Sequence, residues 1–159
     1  ATVEIIVFVK QVPATESIIE IAEDRRGIQT EGLKWVMNPY DDLAVEEAIR
    51  IREAQGGTVT ILSVGPDKAR ETIRVGLAMG ADKGVLISDS AALATDGLGT
   101  ARVLAAAAKK LGFDLILAGQ RAVDDDNYLA GPAAAELLDI PHIALAISTS
   151  PVMPLCRGS

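Results

Sequence analysis

The sequence predicts an α/β fold: a doubly wound parallel sheet of about five strands with helices on both faces. Two observations predict it. Short β-branched runs alternate with longer amphipathic ones along the whole chain, and that alternation builds a parallel sheet with right-handed crossovers. Apolar residues make up 49% of the 159, yet aromatics only 3%. The core is therefore Val, Ile, Leu and Ala, as in strands buried on both faces, and a chain of this length suits one domain with a sizeable core.

The elements follow in order. "VEIIVFV" (3–9) reads as the first strand, "TVTILSV" (58–64) as the second, "GVLIS" (84–88) as the third, "DLILAG" (114–119) as the fourth and "HIALAI" (142–147) as the fifth. Helices are predicted over 40–54, 66–80, 96–112 and 129–139. In the first, Ala44, Val45, Ala48, Ile49 and Ile51 fall near one face, with Glu46, Glu47 and Arg50 elsewhere. The third ends at Lys109, Lys110 and Gly112, a helix C-terminus by both charge and glycine. The segment 10–39 breaks the alternation with "PATES", "DRRG" and "TEG" turn signals, and reads as a long excursion with a small hairpin. One domain is expected over 1–147, followed by an irregular tail at 148–159 with two prolines and no periodicity.

Net charge is −7 and no long basic run exists, which excludes nucleic acid and an anionic membrane as primary partners. The opening "ATVEIIVFVKQ" lacks a basic start and a small-residue cleavage site, and its apolar stretch has strand length. Neither a signal peptide nor membrane insertion is expected. The one cysteine, Cys156, makes no internal disulfide and points to a reducing compartment.

With the Rossmann-like order 3-2-1-4-5, a ligand sits beyond the carboxyl ends of the first and fourth strands, where the order reverses. The loops "KQVPATES", "VGPD" and "GQRAVDDDNYLAGP" converge there. The last carries three consecutive carboxylates, Asp124, Asp125 and Asp126, and three readings stand side by side. Asp126 or Asn127 caps the helix that contains Pro132. Two of the carboxylates ligate a metal, although no His or Cys partner is evident nearby. Or the loop holds a nucleotide, with carboxylates on ribose hydroxyls or an amino group and helix amides on the phosphate. Neither a P-loop nor a G-x-G-x-x-G run is present. His142 reads as structural, Trp35 as packing for the excursion, and Asn38 as a cap or a ligand contact. No Ser/His/Asp or Cys/His set assembles near the crevice, so no catalytic residues are expected.

Four stretches together resemble the β subunit of electron transfer flavoproteins: "VFVKQVPATE", "MNPYDDLAVEEAIRIRE", "SVGPDKARETIRVGLAMGADKGVLI" and "LILAGQRAVDDDNYLAGPAAAELLDIP". The resemblance implies an adenine nucleotide alpha hydrolase-like domain that pairs with a flavin-carrying α subunit. Such a dimer passes electrons from acyl-CoA or other flavin dehydrogenases to a quinone reductase or another acceptor, in the bacterial cytoplasm or the mitochondrial matrix. It implies AMP, or a second FAD, in the crevice. Carried over motif by motif, the implied contacts are Val9, Lys10, Asn38, Asp41, Val64, Gly65, Gly119, Val123, Asp124, Asp126, Asn127, Ala130 and Gly131. The chain departs from the AMP pattern "Q-T-G-Q" at Leu129, Ala130, Gly131 and Pro132. "VKQVP", "NPYD" and Asp96-x-Leu98-x-Thr100 resemble electron-bifurcating members instead, which adds Asp96 and Thr100 and makes FAD an alternative to AMP. Family chains are longer, and their second part completes the sheet and holds the α subunit. An open sheet edge and self-association are therefore expected of the present chain. The competing readings are a stand-alone nucleotide-binding regulator of the universal-stress type and a nucleotide-cleaving enzyme. Each calls for a glycine-rich loop that this sequence lacks.

Overall fold

The structure, a computed structural model, describes residues 2–146. Its sheet has four parallel strands: β1 (Val3–Phe8), β4 (Gly57–Val64), β5 (Lys83–Ile87) and β6 (Leu115–Ala118), in the spatial order β5-β4-β1-β6. Counted along the parallel strands this is 3-2-1-4, the predicted order without its last member. β1 sits between two neighbours, pairing Val7 with Ile61 of β4 and with Leu117 of β6. That position explains the unbroken apolar run "IIVF": Ile5, Ile6 and Val7 are buried, alternately toward the two faces.

Helices α1 (Pro39–Gln55) and α2 (Arg70–Met79) cover one face. Val45, Ala48 and Ile73 pack there on Ile5, Val7, Val59 and Ile61. Helices α4 (Gly97–Leu111) and α5 (Ala130–Leu138) cover the other, where Leu104, Ala105, Ala108 and Ala134 meet Ile6, Phe8 and Leu62. The crossovers that carry the chain out to β5 thus lie on one face, and the one that returns it to β6 lies on the opposite face. This arrangement places the switch point between β1 and β6.

Helix ends follow local chemistry. Asp96 accepts the Gly99 amide at 2.8 Å as the cap of α4. A short helix, α3 (Ser90–Leu93), is capped by Asp89 and was not legible in the sequence. The predicted helix at 66–80 splits into a 3-10 turn over Asp67–Ala69 and α2.

The excursion is a hairpin. β2 (Gln11–Pro13) and β3 (Trp35–Met37) pair antiparallel at its base, and Ile21 bridges Ile28 farther out. Lys68 Nζ lies 3.6 Å from the centroid of the Trp35 ring, fastening the base of the hairpin to the loop after β4.

The expected fifth strand is corrected. Residues 142–146 carry no strand, and Ile143 and Leu145 are exposed. Asp139 ends α5 in the left-handed conformation, Pro141 has no amide to donate, and Leu145 turns to φ 59°, which breaks an extended run. His142 is exposed in this segment rather than set in a strand. Ile147, the tail at 148–159 and Cys156 lie outside the described residues. Among the described residues no helix is long and apolar enough to cross a membrane.

Candidate functional site

A crevice of about 320 Å³ opens beyond the carboxyl ends of β1 and β6, a volume within the ~300–1,000 Å³ usual for small-molecule sites. Eleven of the sequence-derived candidates line it: Val9, Lys10, Asn38, Asp41, Val64, Asp96, Thr100, Gly119, Asn127, Ala130 and Gly131. Four do not. Gly65 is buried, and a Cβ there would meet Ala69 Cβ at 2.9 Å, so it serves packing. Val123 faces Asn38, Asp124 faces Lys10, and Asp126 faces Arg121.

Asn38 and Asp41 are brought to the crevice by the start of α1, and their polar atoms are already engaged with the protein. Asn38 Nδ2 donates to the Arg121 carbonyl at 2.8 Å, and its Oδ1 accepts the Val123 amide at 3.1 Å. Asp41 Oδ2 accepts the Lys10 amide at 2.8 Å, and its Oδ1 accepts the Gly119 amide at 3.2 Å. One helical turn therefore holds the chain leaving β1 against the chain leaving β6. Asn38 is neither a helix cap by its side chain nor free to give these atoms to a ligand. Burial pushes the Asp41 carboxyl up to about 6 even though the amides of Lys10 and Gly119 pull the other way.

The carboxylate run is organised by its own backbone and by two cations. Asp124 accepts the Asp125 amide, Asp125 the Asn127 amide, and Asn127 the Leu129 amide, at 2.9, 3.1 and 2.9 Å. The last two, each two residues on, are turns made by side chains. Asp126 sits at φ 53°, which reverses the loop. Lys10 Nζ lies 2.9 Å from Asp124 and 3.2 Å from Asp125. The Arg121 guanidinium pairs with Asp126 and donates to the Tyr40 hydroxyl from Nε and Nη2, at 3.3 and 3.0 Å. These hydrogen bonds raise its pKa above the usual arginine value. The expected capping of α5 by Asp126 or Asn127 is corrected: α5 begins at Ala130 without a side-chain cap. The turn made by Asn127 one step earlier already occupies the amide of Leu129. Among the described residues no three His, Cys, Asp or Glu side chains are grouped as a metal site needs.

What remains open to a ligand has three parts. Phe8, Val64 and Leu104 form an apolar wall. The positive end of α5 enters at Ala130 and Gly131, where no side chain accepts from the helix amides. A Cβ on Gly131 would meet only Ala118 Cβ within 4 Å, at 3.7 Å, so the space above it belongs to the crevice. Lys10 and Arg121 supply the positive charge. An apolar wall, uncapped amides and two cations together offer one face to a flat apolar group and another to an anionic one.

The model of the electron transfer flavoprotein domain matches residues 26–150. The chain belongs to the electron transfer flavoprotein family. It is 42% identical over 139 residues to the electron transfer flavoprotein subunit beta of Thermoanaerobacterium thermosaccharolyticum, covering 87% of this chain and 53% of the relative. The Bacillus subtilis strain 168 subunit beta is 42% identical over 138 residues, covering 86% and 53%. The human subunit beta is 42% identical over 145 residues, covering 89% and 57%. The chain thus spans about half the length of these curated relatives.

Sequence reasoning missed Arg121, Tyr40, Tyr128 and Gln120, as well as the wall residues Phe8 and Leu104. A signal for Arg121 was present: a lone cation three positions before three carboxylates. Tyr40 stands inside "NPYDD", between the candidates Asn38 and Asp41.

Proposed function

We infer that the chain is the nucleotide-binding part of an electron transfer flavoprotein β subunit, with AMP or a second FAD in the crevice. The observation that carries this reading is Gly131: it lies in the first turn of α5 at the switch point, with no side-chain cap on the helix and only Ala118 Cβ within 4 Å of where a Cβ would stand. The α5 amides at Ala130 and Gly131 would hold a phosphate, and Phe8, Val64 and Leu104 would lie against the base. Asn38 and Asp41 keep the two walls at a fixed separation. AMP would serve as a structural ligand, whereas a flavin would itself carry the redox chemistry. On this reading the complete subunit pairs with a flavin-carrying α subunit and relays electrons from flavin dehydrogenases.

The test is to denature the purified protein and identify what it releases by absorbance and mass. A flavin spectrum assigns FAD, and a colourless adenine spectrum assigns AMP. If nothing is released, calorimetry with AMP and with FAD on the wild type and on Gly131→Val decides. Equal binding by a folded Gly131→Val variant, or no binding by the wild type, overturns the reading.

A further inference from the structure

The crevice has a charge problem. Lys10 and Arg121 are cations on its lining, while Asp41, Asp96 and Asp125 are carboxylates on the same lining. Asp124 and Asp126 lie close behind, against those cations. A phosphate placed among these groups meets more negative charge than positive. Yet the carboxylates are not placed alike. Asp41 is committed to two backbone amides and Asp96 to the cap of α4. The three of the triplet are committed only to the two cations and to local turns.

We propose that Asp124, Asp125 and Asp126 are built-in counter-ions that hold Lys10 and Arg121 in place and yield them to the phosphate of the bound nucleotide. The proposal rests on the nucleotide reading above and names the side chains that select a phosphorylated ligand. The geometry suits an exchange. Lys10 stands just past the end of β1 and Arg121 just past the end of β6, and both line the crevice. The left-handed turn at Asp126 sends successive carboxylates to different sides, Asp124 and Asp125 to Lys10 and Asp126 to Arg121. The Lys10 bridges are partly exposed, with side-chain exposures of 41%, 28% and 48% for Lys10, Asp124 and Asp125. Pairs of that kind are weak and readily exchanged, whereas a phosphate ester offers several strong acceptors at once. Arg121 stays anchored by the Tyr40 hydroxyl when it leaves Asp126, so the site keeps its shape.

The carboxylates therefore compete with the ligand rather than grip it, and removing their charge should tighten binding. The test compares AMP with adenosine on the wild type, on the double variant Asp124→Asn with Asp125→Asn, and on Lys10→Gln. Asparagine keeps an Oδ1 to accept the amides of Asp125 and Asn127, so the turns survive. The double variant is expected to bind AMP about three- to tenfold more tightly, within the range that loss of weak competing pairs allows. Its affinity for adenosine is expected to stay the same, and Lys10→Gln should weaken AMP alone. Wild-type binding of AMP with an unchanged or lower affinity in the double variant overturns the proposal and leaves the nucleotide reading standing. A parallel loss of adenosine affinity does so too, because it places the carboxylates on the ribose. A wild type that binds FAD but neither AMP nor adenosine overturns the proposal and leaves the nucleotide reading standing, and one that binds none of the three overturns both.

Discussion

Asp41 Oδ1 accepts the Gly119 amide at 3.2 Å, and a Cβ on Gly119 would stand 2.3 Å from that same oxygen. The absence of a side chain at 119 is what lets α1 reach the loop after β6. Gly119→Ala is expected to push the two apart and cost about 1–3 kcal/mol, as overpacking does. An unshifted urea midpoint in this variant would show that the contact is not needed.

Asp41 also sets a pH dependence. Its folded pKa, about 6, lies above the ordinary 3.8, so the folded protein keeps this proton to a higher pH than the unfolded chain does. The stabilisation is fully present below pH ~4 and is lost as pH rises through about 6, roughly 3 kcal/mol in all. Asp41→Asn removes this slope. The difference in stability between wild type and variant, measured from pH 4 to 7.5, should change in favour of the variant as pH rises. A constant difference across that range would sink the assignment.

Asn38 is 1% exposed and serves two backbone groups, the carbonyl of Arg121 and the amide of Val123. Asn38→Ala strands both, at an expected cost of about 1–3 kcal/mol for the buried unpaired groups. The variant should also weaken AMP binding, because the loop that carries the crevice cation Arg121 is no longer held. Calorimetry that finds full affinity in a destabilised variant would separate loop position from binding.

A Cβ on Gly76 would fall 1.9 Å from Ile61 Cδ1 and 3.4 Å from its Cγ1. Gly76→Ala should therefore destabilise by about 1–3 kcal/mol despite alanine's better helix propensity. Ile61→Val removes the offending methyl and alone should cost about 1 kcal/mol. Together the two should cost clearly less than their sum. Strict additivity in a double-mutant cycle would mean that α2 moves away from the sheet instead.

Asp126→Ala removes a partly exposed ion pair with Arg121 and places alanine at a left-handed position, so it should cost about 1–2 kcal/mol. It should also leave α5 intact by far-ultraviolet circular dichroism. A capping residue would have behaved otherwise. The sequence suggested a cap because acids near a helix start are favoured there, but the cap needs a specific geometry that Asn127 and Leu129 use up first.

That contrast marks where sequence reasoning stops. The strand order and the switch point were legible, because "IIVF" and "TILS" require burial on both faces and the helices between them require crossovers. The fifth strand was not, because "HIALAI" has strand composition while its conformation depends on a pairing partner and on the turns at Asp139 and Leu145. At the site, residue types pointed to the right loops. They did not reveal that Asn38 and Asp41 spend their polar atoms on the backbone 31 to 85 positions away. Nor did they reveal that Arg121 is held by Tyr40, 81 positions away.

The excursion has a consequence for how the chain can be divided. Arg25 and Arg26 stand exposed at its tip, beyond the Ile21–Ile28 bridge. A trypsin nick there separates β1 and β2 from everything after them, while the β2–β3 ladder and both flanks of β1 remain paired. An interior strand of the sheet would then be a non-covalent insert. Two fragments expressed separately, one ending at Arg25 and one starting at Arg26, should reassemble as a split protein whose association reports directly on the integrity of the core.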